Sequence, residues 1–177
     1  MPGDTTSTPA PADPEKREDV RVGFRVPRLE DGATLWRIAR DSQVLDLNSS
    51  YTYLMWCRDF ARSSVVATVD GEVGGFITGY IRPDQPDVLM VWQVAVDAEH
   101  RGRRLGRRML DALVDCLPDR SIRRMETTIT PDNEASIAVF ESFAQGRGAG
   151  IEREPIFTPE LFPDGHDAEV LFRIGPW

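Results

Sequence analysis

Apolar positions alternate with polar ones through VGFRVPRL (22–29), the period of a half-buried strand. Beyond Asp31 the spacing changes: Ala33, Leu35, Trp36, Ile38 and Ala39 recur with a helical period, with Asp31 as the expected cap. A second helix is expected within DLNSSYTYLMWCRDFA (46–61), where Asn48, Ser49 and Ser50 are start residues and Tyr51, Leu54, Met55 and Phe60 form one face. SVVATVDGEVGGFITGYIR (64–82) reads as two strands about the turn pair Asp70-Gly71. A polar turn over 83–86 leads to a near-continuous apolar run over 88–97, a buried strand. A helix over 102–117 follows, with Leu105, Met109, Leu110 and Leu117 inward and Pro118 as its stop. RRMETTIT (123–130) predicts a strand and 131–145 a helix capped at Asp132 or Asn133. IEREPIF (151–157) and EVLFRI (169–174) predict two final strands. Runs of antiparallel strands enclosing one strand–loop–helix unit predict an α/β protein of the α+β kind, a mixed and mostly antiparallel sheet flanked by helices.

Composition narrows this picture. Residues 1–20, rich in Pro, Thr, Asp and Glu, are expected to be a disordered tail, and 21–177 a single domain. The net charge of −8 argues against nucleic acid or an acidic membrane as partner. No apolar stretch approaches the ~18 residues of a membrane span, and no signal peptide is visible, so a cytoplasmic protein is expected. Cys57 and Cys116 both lie in apolar helical contexts without metal-ligand spacing and read as buried thiols. His100 and His166 also lack ligand spacing, so no metal is expected; His100 reads as a solvent-exposed loop residue.

Against the acidic total, the five arginines between 101 and 108 stand out. A buried strand passing through a Gly/Arg segment into a helix start brings free N–H groups, a helix dipole and guanidinium donors to one place, the layout of a phosphate site. It is not a Walker loop, which needs a lysine after its second glycine, nor a GxGxxG dinucleotide turn. Aromatic interleaving for nucleic acid is missing.

VAVDAEHRGRRLGRRML resembles the acetyl-CoA-binding motif of the GNAT superfamily of N-acetyltransferases, with Arg101, Gly102, Arg103, Arg104, Leu105 and Gly106 matching R/Q-x-x-G-x-G/A. Arg104 stands where that family usually has glycine. The resemblance implies a GNAT-like acyl-CoA N-acyltransferase fold, with the backbone of Val94, Ala95 and Val96 pairing with pantetheine amides and Asn133 orienting the acetyl-CoA co-substrate. DLNSSYTYLMWCRDFA, GGFITGYIRPDQPDVLMVWQVAVD and METTITPDNEAS further resemble the L-2,4-diaminobutyrate acetyltransferase family of ectoine biosynthesis, over roughly 22–174. That implies acetyl transfer to the N4 side-chain amine of L-2,4-diaminobutyrate, in a pocket lined by Asp46, Tyr51, Trp92 and Glu169, and a homodimer.

The chemistry sets its own demands. The substrate carries two ammonium groups, one of which must lose a proton to become a nucleophile. Asp46 and Glu169 are candidate ammonium acceptors and bases, and Trp92 a pocket wall or cation contact. Many GNAT relatives place a tyrosine acid in the last helix, but here Phe140 stands there. Tyr51 is then either the acid that protonates the leaving thiolate or only a substrate hydrogen-bond partner. His166, Thr127, Thr128 and Thr130 are left without a chosen role. Two other functions stay open: a GNAT acyltransferase for another small amine, and a non-catalytic acyl-CoA-binding regulator, which Phe140 and Arg104 would suit.

Overall fold

The computed structural model describes residues 20–177; the tail expected over 1–20 lies, Val20 apart, outside them. The elements are β1 (Val22–Arg25), α1 (Gly32–Ser42), α2 (Ser50–Asp59), β2 (Val65–Val69), β3 (Glu72–Arg82), β4 (Gln85–Val96), α3 (Leu105–Cys116), β5 (Arg124–Ile129), α4 (Glu134–Arg147), β6 (Ile151–Phe157) and β7 (Glu169–Ile174). Their order is the expected one, and their ends move for local reasons. β1 stops at Arg25 just before Pro27, which has no N–H for a ladder. The β2–β3 hairpin turns at Asp70 and Gly71, both at positive φ (52° and 95°), as a tight turn requires. α3 starts at Leu105 rather than 102 because Gly102 and Arg104 take left-handed φ values of 77° and 57°.

Asp31 precedes α1 but does not cap it with its side chain. Its carboxylate instead accepts from both terminal nitrogens of Arg25 (2.6 and 2.8 Å) and from the Arg28 N–H (2.6 Å), tying β1 to the start of α1. Burial alone would raise its pKa, but the Arg25 and Arg28 bonds hold it below the usual carboxylate range.

The seven strands form one sheet in the order β1-β2-β3-β4-β5-β7-β6. All neighbours are antiparallel except β4 and β5. α3 and α4 cover one face with Met109, Leu110, Leu113, Phe140 and Phe143. α1 and α2 cover the other, where Leu35, Ile38, Tyr53 and Cys57 pack on Val66, Phe76 and Ala95. Cys57 is buried there and its thiol is pushed up to about 11 by burial. Cys116, expected to be buried too, is exposed: it ends α3 on the side away from the inward Leu113 and Val114. No helix among the described residues is long and apolar enough to cross a membrane.

Two irregularities in the sheet prepare the site. β4 and β5 pair only from Val88–Arg124 to Met90–Glu126 and then separate, although β4 continues to Val96 and β5 to Ile129. The β3–β4 register also shifts: Thr78 pairs with Gln93 and Gly79 with Val91, leaving Trp92 as the extra residue of a bulge. The bulge is locked by two buried serines, since Ser63 Oγ donates to the Gly79 carbonyl (2.7 Å) and Ser64 Oγ accepts from the Gly79 N–H (3.2 Å). A Cβ at residue 79 would come within 2.9 Å of the Met90 and Ser63 carbonyl oxygens, which is why glycine sits there.

Candidate active site

Where β4 and β5 part, two adjoining cavities open. The larger, about 450 Å³, runs along Val94, Ala95 and Val96 of β4 to Arg101, Gly102, Arg104, Leu105 and Gly106 at the start of α3, with Asn133, Ser136, Val139 and Phe140 opposite. Its wall is therefore an unpaired strand edge, and its end is a helix N-terminus with cationic side chains. Gly106 faces Val139 of α4 across the groove, where a Cβ would make ordinary contact at 3.5 Å. Asn133 caps α4, its Oδ1 accepting from the Ser136 N–H at 3.0 Å, and lines the groove at the same time.

Nine of the ten residues expected to hold the acyl donor line this groove; Arg103 is exposed and does not. Arg107 and Arg108, from the same run, are occupied elsewhere: Arg107 pairs with Asp111 and lies over Phe143, and Arg108 lies over Phe24. Arg104 is explained by its backbone. Its φ of 57° is left-handed, costing a non-glycine residue roughly 1 kcal/mol, which is why glycine is usual there. His100 is not the solvent-exposed loop residue expected from sequence. It packs over Gly74, leaving no room for a Cβ there, and its Nδ1 is buried without a partner.

The smaller cavity, about 150 Å³, is lined by Asp46, Trp92, Gln93, Thr127, Thr128, Thr130, His166 and Glu169, and shares Val94, Asn133, Ser136 and Phe140 with the groove. The bulge puts Trp92 at its wall, edge-on to Trp56 at 4.8 Å between ring centres. Glu169 opens β7 with its side chain only 15% exposed and Oε2 buried without a hydrogen-bond partner. Desolvation raises its pKa above the ordinary carboxylate value, against the opposing pull of Thr128 and His166. His166 Nε2 lies 3.1 Å from Asp46 Oδ2 and 3.8 Å from Glu169 Oε1. Its Nδ1 lies 2.7 Å from the Asp167 carbonyl, an acceptor, so the network assigns the ring a proton on that side. That carbonyl and the two carboxylates raise the imidazole pKa.

Asp46, Trp92 and Glu169 thus meet in one cavity, as expected. Tyr51 does not join them: it stands on the first turn of α2, 65% exposed, and lines neither cavity. The inward face of α2 carries Tyr53, Trp56 and Cys57 instead, so the Tyr51 side chain meets neither cavity of its own chain. Gln93 was passed over in the apolar run, and His166 was left without a role; a lone polar residue inside an apolar strand was the only sequence signal for the former. Among the described residues no group of His, Cys, Asp and Glu could hold a metal ion.

The model of the acetyltransferase (GNAT) family matches residues 32–144. An L-2,4-diaminobutyric acid acetyltransferase of Streptomyces coelicolor is 61% identical over 153 residues, covering 85% of this chain and 90% of the relative. One from Marinococcus halophilus is 45% identical, covering 88% and 91%. The diaminobutyrate acetyltransferase EctA from Paenibacillus lautus, solved with L-2,4-diaminobutyric acid and coenzyme A, superposes with a TM-score of 0.85 at 36% identity, covering 89% and 96%. An Ard1 from Thermoplasma volcanium shares the fold at a TM-score of 0.71 and 22% identity.

Proposed function

The chain belongs to the acetyltransferase (GNAT) family and to its L-2,4-diaminobutyric acid acetyltransferases, and from that premise we propose that it acetylates the N4 amine of L-2,4-diaminobutyrate with acetyl-CoA, on the route to ectoine. The observation that carries this is the junction of the two cavities at Val94, Asn133, Ser136 and Phe140. One side suits a phosphate-bearing thioester, the other a small diamine. Acetyl-CoA lies with its pantetheine along Val94–Val96, adding amide bonds to the free strand edge, and its pyrophosphate at Arg101–Gly106. Asp46 and Glu169 receive the ammonium groups, and the Trp92 ring walls the pocket. Glu169 takes a proton from the reacting ammonium, the freed amine attacks the thioester carbonyl, the C–N bond forms as the C–S bond breaks, and the second proton lost by the nitrogen goes to the departing thiolate. Phe140 has no proton to give and Tyr51 lies outside both cavities, so no side-chain acid is assigned. A thiol pKa of about 8.5 lets the sulfur leave as thiolate.

Residues 21–177 act in this proposal as one catalytic domain, in the cytoplasm, whose reducing conditions suit the two free thiols. We also place a homodimer contact on Tyr51, Leu54 and Met55, exposed apolar neighbours one turn apart on α2; light scattering should give the mass of two chains.

The direct test mixes protein, acetyl-CoA and diaminobutyrate and follows free thiol. Diaminobutyrate is expected to be used at least about tenfold better than ornithine or lysine, since an extra methylene in a closed pocket costs about 1–3 kcal/mol. Preference for a longer diamine would move the substrate to another small amine; acetyl-CoA binding without turnover would make the chain a regulator. Arg104→Gly separates charge from backbone. It relieves the left-handed strain but removes a groove cation, so the acetyl-CoA KM should rise roughly three- to tenfold with Tm within about 3 °C of wild type. An unchanged KM would mean that the Arg104 side chain does not reach the phosphates.

A further inference from the structure

Outside the groups already given roles, one buried polar chain crosses the molecule toward the site. The Tyr53 hydroxyl donates to Gln93 Oε1 at 3.1 Å, and Gln93 Nε2 donates to the Asp46 carbonyl at 3.0 Å. Tyr53 is 1% exposed and Gln93 5% exposed, so neither bond is traded for water. Each group is costly to bury unless paired, and the Gln93 amide directs its two bonds to two different elements, α2 on one side and segment 43–49 on the other. That segment has neither helical nor strand structure and carries Asp46, whose side chain is 81% exposed. Around Asp46 the other polar ties are long: Ser42 Oγ reaches the Val44 and Leu45 N–H groups at 3.4 Å, and Asn48 Nδ2 reaches the same Asp46 carbonyl at 3.4 Å. Firmer bonds tie only the far end of the segment, where Ser49 meets Thr52 of α2 (3.0 Å from the Thr52 N–H to the Ser49 carbonyl, 3.1 Å between the hydroxyls), and the Asp46 carboxylate, which meets His166 within the cavity that a substrate would enter.

We propose that Tyr53 and Gln93 form an anchor that positions Asp46 over the diamine cavity, making both of them positioning residues for the amino substrate. The inference rests on the proposed reading, in which Asp46 receives an ammonium group. Without the anchor an irregular segment of seven residues samples other backbone conformations, and the carboxylate is in place for only a fraction of the time. Apparent affinity for the amine falls by that fraction, while the acyl-donor groove, which the segment reaches only at Val44, keeps its walls of β4, α3 and α4.

The experiment compares Gln93→Leu, Tyr53→Phe and Asp46→Ala, singly and with Gln93→Leu combined with Asp46→Ala, by steady-state kinetics and hydrogen exchange. Gln93→Leu should raise the diaminobutyrate KM about tenfold and Tyr53→Phe about threefold, each with the acetyl-CoA KM within about twofold. Amides of residues 44–49 should exchange about tenfold faster in both variants, a readout that needs no substrate. In the Asp46→Ala background Gln93→Leu should add less than about twofold, because the residue it positions is gone. Additive effects would show that Gln93 meets the substrate directly, and equal rises in both KM values would show a general structural role; either overturns the anchor. Because Tyr53→Phe removes one oxygen atom only and lines neither cavity, it keeps the test decisive if Gln93→Leu folds poorly. Should the wild type fail to use diaminobutyrate, the substrate assignment falls, whereas unchanged exchange at 44–49 would sink the anchor alone.

Discussion

Glu169→Gln is expected to lower kcat with diaminobutyrate about 100-fold or more while the acetyl-CoA KM stays within about twofold. The amide fills the same space, so packing at the start of β7 survives. What is lost is a buried carboxylate with one oxygen unpartnered, facing the cavity where the amine must shed a proton. General bases contribute roughly 10²- to 10⁴-fold, and a buried carboxylate of raised pKa is a better proton acceptor than an ordinary one. The pH profile gives a second readout. Because Glu169 must be ionised to act, wild-type kcat/KM should fall as pH drops through its raised pKa, above the usual carboxylate range. The variant should lack that limb. A loss confined to the diaminobutyrate KM, with the limb intact, would leave Glu169 an ammonium partner and return the base role to Asp46.

The second large effect concerns stability. Asp31→Ala should destabilise the fold by about 2–3 kcal/mol, below the roughly 3–5 kcal/mol that breaking a fully buried pair costs, because Arg25 is partly exposed and relaxes into water. The variant loses two bonds from Arg25 and one from the Arg28 N–H. The sign of the pH dependence follows from the lowered pKa. The contribution is present above the unfolded carboxylate pKa of about 3.9 and is lost as pH falls through the lower folded value. Urea denaturation near pH 7 should therefore show the full gap between wild type and variant, and the gap should narrow once pH drops below about 4. A difference under about 0.5 kcal/mol near neutrality would mean that the corner between β1 and α1 is held by packing alone. That corner matters to the site because α1 runs directly into the segment that carries Asp46.

Element order was legible because each signal is local. Asp70-Gly71 can turn a hairpin whatever surrounds it, and the apolar spacing of Leu105, Met109 and Leu110 buries one helix face in any context. The phosphate layout was legible for the same reason, since a strand edge, a glycine turn and a helix start lie within about twenty residues of one another. Arg104 marks the limit of such a motif. Its departure from glycine was visible in the chain, but that the position demands a left-handed backbone was seen only once φ was known.

The substrate side depends on contacts that no local pattern carries. Asp46 and His166 are 120 positions apart and meet only because β4 and β5 separate after Met90 and Glu126 and β7 slots in beside β5. A one-residue bulge turns Trp92 toward the cavity and sets Gln93 beside Tyr53, a shift that a strict alternation of faces cannot register. Tyr51 and Tyr53 look alike two positions apart on one helix, yet one is solvent-facing and the other is buried against the sheet. Cys116 and His100 were misplaced for the same reason: burial belongs to the neighbours that tertiary packing supplies. Local chemistry thus set the elements and the acyl-donor groove, while the geometry that selects the amine arose from strand divergence, the bulge and long-range pairing, where each residue's surroundings come from distant parts of the chain.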